Sequence, residues 1–135
     1  MHRILVVDDD QAVRGAIEML LVHKGFEVVV KDSGRDGIAA VESSAFDLII
    51  VDMLMPGMDG LSSIEAFHAR APGTPIVAMS GSGAADFLGM AAKVGATYSL
   101  RKPFRPSELL AVIDACLSRA SGASKTQAPV SSGGS

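Results

Sequence analysis

Leu48-Ile49-Ile50-Val51-Asp52, followed at once by Met53-Leu54-Met55-Pro56-Gly57-Met58-Asp59-Gly60, sets the architecture of this chain. An unbroken apolar run reads as a strand buried on both faces of a parallel sheet. Pro56 and Gly57 then force the chain out into a loop. Asp52 therefore stands at the carboxyl end of a central strand, where open α/β sheets bind their ligands. Asp is also a competent nucleophile toward phosphoryl groups.

On either side of it, strand-like runs alternate with helical patterns. Strands are expected over 3–8, 26–31, 47–52, 75–80 and 97–102. The first helix spans 10–24, with Val13, Ile17, Leu20 and Leu21 on one face and Gly25 as its stop. Ser33 can cap a second helix carrying Ile38 and Val41. A third spans 61–70 with Ile64 and Phe67 inward, and a fourth spans 84–94, stopped by Gly95. Pro106 suits the first turn of a last helix with Leu109, Leu110, Ile113 and Leu117 inward. Five strand–helix units imply an α/β fold with right-handed crossovers. The expected architecture is a flavodoxin-like, doubly wound, five-stranded parallel sheet with five helices. Its strand order, 2-1-3-4-5, is taken over from that class of sheets.

The chain has 135 residues and is 48% hydrophobic, enough for one domain with a core of its own. Its net charge is −3 with no basic run, which disfavours nucleic-acid binding. The lone Cys116 cannot form an internal disulfide, and a buried inert thiol is its default reading. No apolar stretch approaches the ~20 residues of a membrane span, and the amino terminus is too short in apolar residues for a signal peptide. A cytoplasmic domain over 1–120 is expected. Residues 121–135 are Ser/Gly/Ala-rich without a periodic apolar face, and read as a disordered tail.

The parallel strands should all end on one edge of the sheet. That edge gathers Asp8 and Asp9 after strand 1, Asp52 at the end of strand 3, Ser80 at the end of strand 4 and Lys102 at the end of strand 5. Such oxygen ligands suit Mg²⁺, which prefers one or two carboxylates, waters and substrate phosphate. A lysine and a hydroxyl suit phosphate oxygens. The set reads as a phosphoryl-transfer site without a nucleotide cradle.

At these residues the chain resembles the receiver domains of two-component response regulators. The resemblance covers about residues 2–119. It rests on Ile4-Leu5-Val6-Val7-Asp8-Asp9-Asp10, on Asp52 with Met55-Pro56-Gly57-Met58-Asp59-Gly60, on Ser80-Gly81 and on Lys102-Pro103-Phe104. It implies that Asp52 accepts a phosphoryl group from a histidine kinase or histidine phosphotransfer protein. It implies Mg²⁺ bound directly by Asp9 and Asp52, through water by Asp8, and by the backbone carbonyl of Leu54. Lys102 would pair with the phosphoryl oxygens, and Ser80 would hydrogen-bond one of them. The Lys102–Pro103 bond would be cis. The whole would be a stand-alone phosphoacceptor that catalyses only its own phosphorylation and dephosphorylation, signalling to an unknown downstream protein, with no membrane partner. The family's aromatic, three residues before the lysine, is replaced here by Ser99. Tyr98 alternates to the other face of the strand, so switching should run through Ser80 and residues 81–83.

Plainer readings hold elsewhere. Asp10 reads as the cap of the first helix. Asp59 and Gly60 read as turn chemistry. His2, His23 and His68 lack metal-ligand spacing and suit the surface, and Met53, Met55 and Met58 suit packing or loops. Gly81-Ser82-Gly83 lacks the Gly-Lys-Ser/Thr ending of a P-loop. Two rival functions share parts of the pattern. One is a small Mg²⁺-dependent phosphatase of haloacid-dehalogenase type, with Asp8 as nucleophile and Asp10 as acid, but no acidic pair follows Lys102 to complete it. The other is a flavin-binding electron carrier, which the absence of Trp and the single Tyr disfavour. A phosphate sink with no output partner is a variant of the main reading.

Overall fold

Apolar runs that cannot expose either face must be covered on both, and the chain does this by winding helices to alternate sides. The computed structural model describes residues 2–53, 60–81 and 85–123. Its elements are β1 (Arg3–Val7), α1 (Gln11–His23), β2 (Glu27–Lys31), α2 (Gly34–Ser43), β3 (Leu48–Asp52), α3 (Gly60–Arg70), β4 (Ile76–Ser80), α4 (Ala85–Val94), β5 (Tyr98–Arg101) and α5 (Pro106–Ala123). The five strands are parallel in the order β2-β1-β3-β4-β5, as expected. The expected strand ends and the ends of α1, α3 and α4 hold to within a residue or so, while α5 runs to Ala123, three residues into the stretch expected as tail, because Ser121, Gly122 and Ala123 continue its last turn. Leu54, Met55, Met58, Asp59, residues 82–84 and the chain after Ala123 lie outside the described residues.

Alternation along each strand splits the core in two. Ile4, Val6, Leu48, Ile50, Val77, Met79 and Leu100 face α1 and α5, where they meet Ile17, Leu21, Leu109, Ile113, Cys116 and Leu117. Leu5, Val7, Ile49, Val51, Ile76 and Ala78 face the other way, against Ile64, Phe67 and Ala91 of α3 and α4 and half-buried Ile38 and Val41 of α2. The central strands β3 and β4 are buried along their full length, while the edge strands β2 and β5 are only partly so. That is why the central runs carry no polar residue before their ends.

Local chemistry sets the helix ends. Asp10 caps α1, its Oδ1 accepting from the amides of Ala12 at 2.9 Å and Val13 at 3.2 Å. Ser33 caps α2 through the Asp36 amide. Gly95 follows α4 with φ +130°, a backbone that L side chains rarely adopt. His2, His23 and His68 are exposed and Met53 is buried, as the plainer readings held. Among the described residues, no helix is long and apolar enough to cross a membrane.

Candidate functional site

Strand β1 delivers Asp8 to the carboxyl edge. The Asp8 amide still donates to the Lys31 carbonyl at 3.1 Å, so the residue is pinned to the end of β2. Its carboxylate is fully buried. Oδ1 accepts the Asp10 amide at 2.9 Å and Oδ2 accepts Lys102 Nζ at 2.9 Å. A buried charge needs partners of this kind to be tolerated. Asp9 follows in the turn and is exposed.

Strand β3 delivers Asp52, buried but for its edge at 5% exposure. The Met53 amide donates to the Met79 carbonyl at 2.8 Å, extending the β3–β4 ladder past the carboxylate. Strand β5 delivers Lys102. Its amide donates to the Ser80 carbonyl at 2.6 Å, and the peptide to Pro103 is cis, as the resemblance implied. The ammonium then lies 2.9 Å from Asp8 Oδ2 and 3.4 Å from Asp52 Oδ2. Burial by itself would lower the Lys102 pKa. The hydrogen bond to Asp8 and the charges of Asp52 and Asp8 outweigh it and hold the pKa above the usual lysine value.

Asp8, Asp9 and Asp52 can each offer a carboxylate oxygen, with those atoms all within 4.8 Å of one another. Three carboxylates against one ammonium leave the cluster electronegative. An all-oxygen donor set with one solvent-facing member fits a hard divalent cation that keeps waters in its shell. Of the expected ligands, Leu54 lies outside the described residues.

Ser80 reaches the right edge but not the ion-pair cluster. It is fully buried on the Ile76–Ala78 side of β4, whereas Asp52 and Lys102 continue the opposite alternation. Its hydroxyl donates to the Gly81 carbonyl at 3.2 Å. Ser99 is exposed, and Tyr98 packs half-buried against the α1–α5 core on the other face. One residue at the site went unread in the sequence. Arg14 of α1 donates from Nη1 to the Asp8 carbonyl at 2.7 Å. The signal was available: Arg14 stands in the same stripe as Ile17 and Leu21, a charge where the helix faces inward. A cavity of about 370 Å³ lies away from this chemistry, between the C-terminal ends of α2 and α3, lined by residues such as Val41, Phe46, Ile49 and Arg70.

A doubly wound sheet with acidic groups and a half-buried lysine at its carboxyl edge is an α/β domain suited to handling phosphoryl groups. The particular family follows from comparison. The profile described as "Response regulator receiver domain" matches residues 4–114, and the chain belongs to that family. The transcriptional regulatory protein FixJ of Bradyrhizobium diazoefficiens is 34% identical over 125 residues, covering 93% of this chain and 61% of that protein. The chain thus spans less than two thirds of the length of this curated relative. Among solved structures, a CheY-like receiver domain protein from Methanospirillum hungatei matches with TM-score 0.86 and 29% identity, over 90% of this chain and 97% of that one. A receiver domain protein from Clostridium thermocellum matches with TM-score 0.84 and 28% identity, over 90% and 98%.

Proposed function

We propose that the chain is a phosphoacceptor that takes a phosphoryl group on Asp52 and passes the signal on by protein–protein contact or phosphorelay. The observation that carries this reading is the placing of Asp52 at the mouth of the central strand, with Lys102 Nζ 3.4 Å from its Oδ2. The donor is a phosphohistidine of a histidine kinase or phosphotransfer protein. An Asp52 carboxylate oxygen attacks phosphorus, the O–P bond forms and the P–N bond breaks. The imidazole nitrogen leaves with the electron pair. Lys102, kept protonated by its carboxylate neighbours, offers N–H donors to the oxygens of the transferred group. Asp9, Asp52 and the Leu54 carbonyl would hold a Mg²⁺ ion, with Asp8 acting through water, and the ion would supply neutralisation of the phosphoryl charge. The product is an acyl phosphate that water hydrolyses, so the state is self-limiting. Cytoplasmic action fits a chain with a buried lone thiol. The net charge of −3 argues against nucleic acid as a direct partner.

Asp8 is poorly suited to the nucleophile role that the phosphatase alternative needs. It is fully buried and both its oxygens are engaged. Incubation with acetyl phosphate and Mg²⁺ tests the proposal. One phosphate, labile to hydroxylamine, should add to the wild type and to none of the Asp52→Ala protein. Labelling of Asp52→Ala at the wild-type level would overturn the reading, and loss of labelling confined to Asp8→Asn would favour the phosphatase.

A further inference from the structure

We propose that Arg14 is a positioning residue for the acidic site, holding the Asp8–Asp9 peptide so that the Asp9 carboxylate is aimed at the cation. The inference rests on the phosphoacceptor reading for its consequence, though not for its geometry. Arg14 Nη1 lies 2.7 Å from the Asp8 carbonyl oxygen, and the side chain is half-buried against the turn. It forms no ion pair with any described carboxylate. An arginine placed for charge neutralisation would take a carboxylate in bidentate fashion. This one instead holds a neutral backbone oxygen.

The bonds around it show what that contact controls. The turn is anchored before Asp9 by the Asp8 amide on the Lys31 carbonyl. It is anchored after Asp9 by the Asp10 amide on Asp8 Oδ1 and by the Asp10 cap on α1. The Asp8 carboxylate is further fixed by Lys102. Asp9 has none of this. Its side chain is exposed and makes no hydrogen bond or ion pair with a described residue. Its direction is therefore inherited from the peptide plane that precedes it, and Arg14 is the donor found on that plane's carbonyl. Outer-shell groups that orient ligands typically carry a large share of metal affinity. The contact also ties α1 to the site, because Arg14 shares its helix face with buried Ile17 and Leu21.

A pure charge effect would act in the opposite direction, since a guanidinium near the site repels a divalent cation. Arg14→Met removes donor and charge together and separates the two. Under positioning, Mg²⁺ affinity in a titration followed by amide signals should fall by about tenfold. Arg14→Lys, which keeps one donor, should recover part of it. In the metal-free protein, hydrogen exchange at the Asp10 amide should speed up in Arg14→Met. In an Asp9→Asn background the Arg14→Met change should alter Mg²⁺ affinity by less than about twofold, because the group it aims is gone. Tighter Mg²⁺ binding by Arg14→Met, full additivity of the two substitutions, or an unchanged Asp10 exchange rate would each overturn the proposal. A wild type that binds no Mg²⁺ and takes no phosphoryl group would instead overturn the functional reading. The exchange measurement, made without metal, keeps those failures apart.

Discussion

Lys102 Nζ and Asp8 Oδ2 stand 2.9 Å apart across ninety-four positions of sequence, with the lysine one-fifth exposed and the aspartate wholly buried. The pair joins the ends of β1 and β5 across the intervening β3 and β4. It makes the lysine a structural counter-ion of the acidic cluster as well as a group aimed at Asp52.

Lys102→Ala should therefore destabilise the metal-free protein. It leaves the buried Asp8 carboxylate without its cation, a loss of about 2 kcal/mol. Added Mg²⁺ should restore part of the melting temperature. The folded-state pKa of Lys102 is raised, so this contribution is complete below the unfolded lysine value of ~10.4 and is lost as pH rises through the folded value. Melting curves in EDTA, taken from neutral to strongly alkaline pH, should show the wild type and Lys102→Ala converging only at the alkaline end. A gap independent of pH would contradict this account.

The two exposed aspartates of the first turn should separate by role. Asp9→Asn should weaken Mg²⁺ by about tenfold or more, because it removes a charged oxygen from the cluster. Asp10→Asn should change it little, since Asn caps α1 about as well as Asp. Equal losses in a titration would count against the division.

Two glycine-to-alanine changes should have opposite signs. A Cβ on Gly37 would meet Val7 Cγ2 at 2.8 Å and Phe67 Cζ at 3.1 Å, both in fully buried side chains. Gly37→Ala should cost about 1–3 kcal/mol by overpacking, despite the gain in helix propensity. A Cβ on Gly15 meets nothing within 4 Å on the outer face of α1. Gly15→Ala should stabilise by roughly 0.5–1 kcal/mol. Denaturant midpoints read both, and a shared sign would show that helix propensity or packing alone governs.

Beryllofluoride with Mg²⁺ mimics the phosphorylated state. It should shift the amide signals of Ser80 and Gly81 strongly and the ring signals of Tyr98 little. Tyr98 packs into the α1–α5 core, on the face away from Ser80. A large change in the Tyr98 rotamer would refute this assignment.

The sequence encodes the order of elements outright, because burial leaves a local mark. Unbroken runs such as Leu48 to Val51 specify two-sided burial, and Asp10, Ser33 and Gly95 mark helix ends through their own backbone chemistry. It also determined that Asp8, Asp9, Asp52 and Lys102 gather on one edge, since parallel strands must all end on the same side. How those groups pair depends on three-dimensional packing. That Lys102 bonds Asp8 more closely than Asp52, that Ser80 turns its hydroxyl to Gly81, and that Arg14 grips the Asp8 carbonyl depend on ångström-scale offsets between elements far apart in the chain. The same is true of Gly37, whose missing Cβ is required only because α2 closes onto Val7 and Phe67. Periodicity records which face a residue takes. The distance to its partner across that face is set by the packing of two separately encoded surfaces, and no local pattern carries it.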